Sequence, residues 1–441
     1  MKPEIGVDRR QGERRQSEAP KSMDEIWIQG GRDLAGSVAC GGSKNATLPV
    51  LAALLLADGQ TRLTNVPNLM DVSTMVKMLG RFGVTSQRTE PHTLLVDTSR
   101  QQNAEAPYEL VKTMRASIYV LGPLLARYGE ARVSLPGGCA WGPRPVDLHI
   151  KGMEALGARV EIEHGYIVAH APDGLRGGTI SFDISSVGAT GNILMAAATA
   201  AGTTTIENAA CEPEIEALAK YLVAMGAKID GIGTQRLVVT GVRELHPADA
   251  PMIPDRIEAG TLLAAAAVTG GDVEVTDVDP AHLGAVLTKF EAAGASVERS
   301  ERSVRLRAPR RPLPVNVTTQ PYPGFPTDMQ AQFMALLSVA DGASTIVDTI
   351  YHDRFTHVAE LQRLGADIRV EGNTAFIQGV SSLSGAPVMA TDLRASAALI
   401  LAGLVAGGET RVSRVYHLDR GYERLEAKLA ALGANVRRVR P

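Results

Sequence analysis

Three cysteines are spread over the 441 residues, and Cys139 sits in LPGGCAWGPRPVDLHI (Leu135 to Ile150), a loop of Gly and Pro. Arg144 follows five residues later, with Asp147 and His149 just beyond. A thiolate is the reactive form of cysteine, and a nearby guanidinium makes that form easier to reach. The same guanidinium is a fixed fork of donors suited to phosphate or carboxylate. A lone cysteine is also a small hydrophobe that packs inertly, and spacing alone leaves both readings open.

Three further sets of residues are not required by a fold. CGGSKNATLP holds Lys44 and Asn45 after small residues. It resembles a phosphate cradle but lacks the G-x-x-x-x-G-K-[ST] spacing of a Walker A loop, and a solvated lysine at a helix start also accounts for it. GFPTDMQAQF places Asp328 ahead of a helical run, where an ordinary N-cap would suffice. HDRF (Arg354), ATDLRAS (Asp392 and Arg394) and HLDRGYER (Arg420) set arginines beside helix starts, where each alone could be a surface ion pair of small weight. Together, one lysine and several arginines on separate loops suit a small, multiply charged anion. A carboxylate could then serve as base and a thiol as acid. HExxH, paired CxxC, GxGxxG and G-x-S-x-G are all missing, so metal, nicotinamide and serine-hydrolase chemistry have no support and no cofactor is expected.

The elements that would position these residues show as a repeat. Six segments (GRFGVTS, EALGARVEI, VAMGAKID, EAAGASVE, QRLGADIR, AALGANVR) pass from a helix-like run through Gly to a strand-like pair. Their glycines, Gly83, Gly157, Gly226, Gly294, Gly365 and Gly433, are spaced 74, 69, 68, 71 and 68 apart. A second series interleaves at Gly59, Gly129, Gly202, Gly271, Gly342 and Gly408, each followed by β-branched residues. Gly fits the left-handed position that closes a helix, and β-branched residues favour a half-buried strand. The spacing predicts six units of about 70 residues, three per domain, too long and too rich in strands for ankyrin or tetratricopeptide arrays.

Composition bounds the rest. A 45% hydrophobic and 21% charged chain is that of a soluble globular protein of two to four domains. With 4% aromatics the core must be built from Ala, Leu, Val and Ile. A net charge of −3 provides no field for nucleic acid or an anionic membrane. Apolar runs such as LPVLAALLLA are too short to span a bilayer, and no secretory signal is visible. The odd cysteine count suits a reducing cytoplasm. Residues 1–22 are polar and aperiodic and read as a disordered extension.

The segments GGSKNATLP, LPGGCAWGPRPVDLHIKGMEALGA, VGATGNILMAA, ENAACEPEI, PDRIEAGT, FPTDMQAQF, ATDLRASAALILAG and YHLDRGYERLEAKLAALGA resemble the UDP-N-acetylglucosamine 1-carboxyvinyltransferase family of enolpyruvyl transferases. The likeness runs from about Trp27 to the C-terminus. It implies an α/β fold, an inside-out α/β barrel of two pseudo-symmetric domains, each of three βαβαββ units, with the active site in the cleft between them. Residues 23–43 would join 253–441, leaving 44–252 as the other domain. The implied reaction moves the enolpyruvyl group of phosphoenolpyruvate to the 3-hydroxyl of UDP-N-acetylglucosamine with release of phosphate, the first committed step of peptidoglycan precursor synthesis. Cys139 matches the family's proton donor, which can also form an adduct with phosphoenolpyruvate, and Asp328 matches the residue that takes the sugar hydroxyl's proton. Lys44, Asn45, Arg144, Arg354, Asp392, Arg394 and Arg420 match the phosphoenolpyruvate site. Asn45, Arg115, Arg144, Pro145, Val146, Asp147, Leu148, Ser186, Val187, Gly188, Asp328 and Ile350 match the nucleotide-sugar site.

Two departures stand out. Ile184 replaces a lysine that some members turn toward the diphosphate, and Trp141 is bulkier than the aliphatic residues common in that loop. The alternatives are the sister 5-enolpyruvylshikimate-3-phosphate synthase, which lacks the Cys loop and the RPVDL run, and a silent UDP-sugar-binding paralogue, which the filled catalytic positions disfavour. A repeat scaffold for protein partners would explain the six units but not the arginines.

Overall fold

The computed structural model describes residues 24–440 apart from 103, 113 and 136–145. Among the described residues the strands form six four-stranded sheets. In the sheet of Glu105–Ala106, Glu130–Ser134, Tyr166–His170 and Arg159–Glu163, the first two strands are parallel and the remaining pairings antiparallel. The other five sheets repeat this order of one parallel and two antiparallel pairings.

Three of the sheets borrow a strand from far along the chain. Glu25–Gln29 lies between Glu409–Ser413 and Asn435–Val439. Ala35–Ala39 runs parallel to Asp272–Thr276, and Ala250–Pro251 runs parallel to Gln60–Thr64. The first and last described strands are therefore hydrogen-bonded into one sheet.

The glycine repeat has a backbone cause. All six glycines of the first series take φ between 81° (Gly83) and 105° (Gly226), the left-handed region that lets a helix stop and a strand begin. In the second series one position differs from the sequence expectation. At Thr269-Gly270-Gly271 the left-handed residue is Gly270 (φ 71°), not Gly271. Gly271 is instead required by close packing, since a Cβ there would lie 2.3 Å from the Leu34 carbonyl oxygen. Here the left-handed turn and the close approach fall on two adjacent glycines.

The apolar cores fall into two clusters. One runs from Leu48 to Met252, and the other combines Ile26 to Cys40 with Ile257 to Val436. At the centre of the second cluster the helices Arg256–Thr269, Gln330–Leu337 and Leu393–Val405 pack on one another. Every residue of Arg256–Thr269 is buried, so this helix lies inside rather than on a surface. The strands around it alternate, as in Asp272–Thr276, where Val273 and Val275 are buried and their neighbours are partly exposed. The N-termini of such buried helices are natural places for polar side chains to converge. No described helix is long and apolar enough to cross a membrane.

Candidate active site

Helix N-termini leave orphan N–H groups that attract carboxylates and anions. The sequence sets Ser43 and Asp255 where they cap the helices Lys44–Ala53 and Arg256–Thr269. The Ser43 hydroxyl accepts from Ala46 N at 3.3 Å. Asp255 Oδ1 accepts from Ile257 N and Glu258 N, while its Oδ2 accepts from Lys44 N at 3.1 Å. One carboxylate thus ties together a helix from each core cluster. Beside it, Arg256 forms a buried two-point pair with Glu214, at 3.0 and 3.2 Å, again from one cluster to the other.

At the start of the first of these helices, Lys44 Nζ lies 3.1 Å from Asp71 Oδ2. Arg420 reaches the same carboxylate from the far end of the chain, Nε to Oδ1 at 2.9 Å and Nη2 to Oδ2 at 3.3 Å. Burial works to raise the Asp71 pKa, but Lys44 and Arg420 outweigh it and hold the carboxyl below its usual range. Asn45 is the next residue of the Lys44 helix and is partly exposed.

A second carboxylate sits in a fork of two arginines. Asp328 lies in the short turn Thr327–Met329 ahead of helix Gln330–Leu337. Its Oδ1 accepts from Arg354 Nη2 at 2.9 Å and its Oδ2 from Arg394 Nη2 at 2.8 Å. Burial pushes its pKa up, and the charges of Arg394 and Arg354 reverse this and hold it well below the carboxylate range. Arg394 is buried, and its Nε and Nη1 have no hydrogen-bond partner among the described residues. Asp392 caps the helix Leu393–Val405, with Oδ1 accepting from Arg394 N and Ala395 N. Below Asp328, Gln332 Nε2 donates to the Asp328 carbonyl and to the hydroxyls of Thr261 and Tyr422.

The residues expected to hold a nucleotide sugar fall on neighbouring helix starts. Val146 precedes the helix Asp147–Ala155, which carries Asp147, Leu148 and His149. Ser186 caps the helix Val187–Ala197, which carries Val187 and Gly188, and its hydroxyl accepts from Ala189 N. The two helices meet where a Cβ on Gly188 would come 3.1 Å from His149 Nε2. His149 Nδ1 lies 3.0 Å from Asn192 Nδ2, so that nitrogen accepts and the proton belongs on Nε2. Burial, aided by the charge of Arg115, lowers the His149 pKa to about 4. Arg115 Nη1 donates across to the Tyr351 hydroxyl at 3.4 Å, beside Ile350. Ile184 is 71% exposed, so a nearby anion would meet an alkyl group at this position.

Two clusters therefore contain expected residues: Lys44 with Arg420, and Asp328 with Arg354 and Arg394. Cys139, Trp141, Arg144 and Pro145 lie outside the described residues. Asp71, Asp255, Glu214, Arg256 and Tyr351 are absent from the sequence expectation. Asp71 and Asp255 look like ordinary helix-start acids in the sequence, and their distant partners carry no local signal. Cys40 is buried against Asp255 and Glu258, and burial pushes its thiol pKa well up, so it is an inert thiol. Among the described residues no group of three or more His, Cys, Asp or Glu side chains could hold a metal ion.

Residues 28–429 match the sequence profile of the EPSP synthase (3-phosphoshikimate 1-carboxyvinyltransferase) family, and the chain belongs to this family of carboxyvinyl transferases. Among its relatives is the UDP-N-acetylglucosamine 1-carboxyvinyltransferase of Trichlorobacter lovleyi, 56% identical over 417 residues, which are 95% of this chain and 99% of the relative. The enolpyruvyl transferase NikO from Streptomyces tendae superposes with a TM-score of 0.85 at 26% identity, covering 95% of this chain and all of the other. EPSP synthase from Acinetobacter baumannii shares the fold with a TM-score of 0.74 at 18% identity, over 94% of this chain and 100% of the other.

Proposed function

We propose that the chain transfers the enolpyruvyl group of phosphoenolpyruvate to the 3-hydroxyl of UDP-N-acetylglucosamine, releasing phosphate, and so serves peptidoglycan precursor synthesis in the cytoplasm. The observation that carries this reading is the Asp328 fork: a carboxylate oriented by two arginines, one of which has buried donors without a partner among the described residues. Relatives named for this reaction, at 56% identity over nearly the whole chain, support it.

Asp328 accepts the proton of the sugar hydroxyl as its oxygen bonds to C2 of phosphoenolpyruvate. The Cys139 thiol delivers a proton to C3 of the same molecule. Elimination then returns a proton from C3 to the Cys139 thiolate as the bond from C2 to the phosphate oxygen breaks, and phosphate departs with the proton that Asp328 held. Lys44, Arg144 and Arg420 bind the donor's phosphate and carboxylate, with Asn45, Arg354, Asp392 and Arg394 around them. Cations fixed in advance stabilise charge that moves during both steps, at no reorganisation cost. Arg115, Arg144, Pro145, Val146, Asp147 and Leu148 hold the uridine end, and Ser186, Val187 and Gly188 present a helix N-terminus to the diphosphate. Asn45, Asp328 and Ile350 border the sugar.

The same reading divides the chain into domains 44–252 and 23–43 with 253–441, an inside-out α/β barrel with the site in the cleft. The two core clusters support that division. The Cys139 loop acts as a lid that excludes water, and its thiol is the target for fosfomycin or for adduct formation with phosphoenolpyruvate. Incubation with both substrates and mass spectrometry of the nucleotide fraction tests the reaction. The expected product is an enolpyruvyl ether of the nucleotide sugar, and unchanged UDP-N-acetylglucosamine would refute it.

A further inference from the structure

Asp348 is a carboxylate with no solvent exposure, outside the set of substrate-binding residues. Four donors converge on it. Thr319 Oγ1 donates to Oδ1 at 2.8 Å, Ile350 N and Tyr351 N donate to the same oxygen at 3.0 and 2.9 Å, and Thr327 Oγ1 donates to Oδ2 at 2.8 Å. A fully buried carboxylate is costly unless it is saturated in this way, and a strand-to-turn junction does not require one.

What it does follows from the hydroxyl of Thr327. A threonine hydroxyl has one proton and two lone pairs. A carboxylate only accepts, so the Thr327 hydroxyl points its proton at Asp348 and turns its lone pairs outward. One of them accepts from Arg354 Nη1 at 2.9 Å, while Arg354 Nη2 holds Asp328 Oδ1 at 2.9 Å. Without the hydroxyl's fixed direction, the guanidinium plane has one less anchor. Ile350 and Tyr351 are held by the same buried group, so one side chain sets both the base's arginine and the neighbouring loop.

We propose that Asp348 is a positioning residue for the proton-accepting Asp328, acting through the Thr327 hydroxyl and Arg354. This rests on the reading of Asp328 as the base. Arg394 and Arg256 also face Asp328, and neither takes part in the relay.

Thr327→Val breaks the relay while leaving Asp348 its Thr319, Ile350 and Tyr351 donors, so it carries the test even if Asp348→Asn fails to fold. In Thr327→Val, kcat falls about 10- to 100-fold with KM for both substrates within about three-fold. Thr327→Ser, which keeps the hydroxyl, restores kcat to within about three-fold of the parent. Asp348→Asn behaves like the valine variant. The second measurement needs no turnover: the Asp328 carboxyl, followed by carbon NMR and assigned with Asp328→Asn, titrates about one unit higher in Thr327→Val because Arg354 is less firmly placed. A merely structural role would lower activity equally in the valine and serine variants and leave this titration unmoved. That outcome, or kcat within about two-fold of the parent in Thr327→Val, would overturn the relay. If the parent itself forms no product, the functional reading fails, while the titration still decides the relay.

Discussion

Two carboxylates in this molecule are each held by two cations, yet they are built for opposite uses. Asp71 is sealed between Lys44 and Arg420, with only 5% of its side chain exposed. Asp328 sits between Arg354 and Arg394 with 26% of its side chain exposed, while the arginines are 5% and 2% exposed. In the first cluster the carboxylate is hidden and Arg420 is the more open partner, at 32%. In the second the cations are hidden and the carboxylate is open. In the proposed reading, the first cluster turns Arg420 toward the substrate and the second turns the Asp328 carboxylate toward it.

That contrast can be broken from either side. The largest effect is expected for Asp328→Asn, which keeps the shape but can accept from only one of the two arginines and removes the proton acceptor. Turnover falls about 10²- to 10⁴-fold in a steady-state assay, with an unchanged circular dichroism spectrum. Near-normal turnover would remove the base from the account.

A smaller effect is expected for Asp71→Asn. Lys44 and Arg420 lose their shared counter-charge, but both stay able to bind phosphate. Initial rates should show kcat lowered about ten-fold, ~1.4 kcal/mol, without a matching rise in KM for phosphoenolpyruvate. A large rise in KM with kcat intact would mean that Asp71 serves binding alone.

The smallest effect concerns pH. Burial lowers His149 and His357 from 6.5 to about 4, so the folded state resists their protonation. Groups of this kind contribute stability above the unfolded value, and it is lost as pH falls from 6.5 toward 4. Asp71 and Asp328 are shifted below the ordinary carboxylate value, so their contribution persists until lower pH. Urea midpoints should therefore decline between pH 7 and pH 5, and less so in His149→Gln. An identical decline in that variant would contradict the sign for His149.

Much of the fold was legible because its punctuation is local. A helix that must end before a strand needs φ above zero, and glycine marks it six times; at Gly270 and Gly271 the adjacent pair concealed which residue takes the turn. The strands Glu25–Gln29 and Ala35–Ala39 carry no local hint of their partners, because pairing across the length of the chain leaves no periodic trace; only the family resemblance joined residues 23–43 to 253–441. Among site residues, Arg354, Asp392, Arg394 and Arg420 were visible as residue types beside helix starts. Their geometry was not. Arg420 meets Asp71 across 349 positions, and Asp348 in VDTI reads as a strand-end residue until Thr327 is seen against it.

The most direct measurement is phosphate release from phosphoenolpyruvate with UDP-N-acetylglucosamine or shikimate 3-phosphate as acceptor. The proposed site predicts continuous release with the nucleotide sugar and none with shikimate 3-phosphate, and release slowed about 10²- to 10⁴-fold in Asp328→Asn. Release driven by shikimate 3-phosphate, or none with the nucleotide sugar, would contradict it.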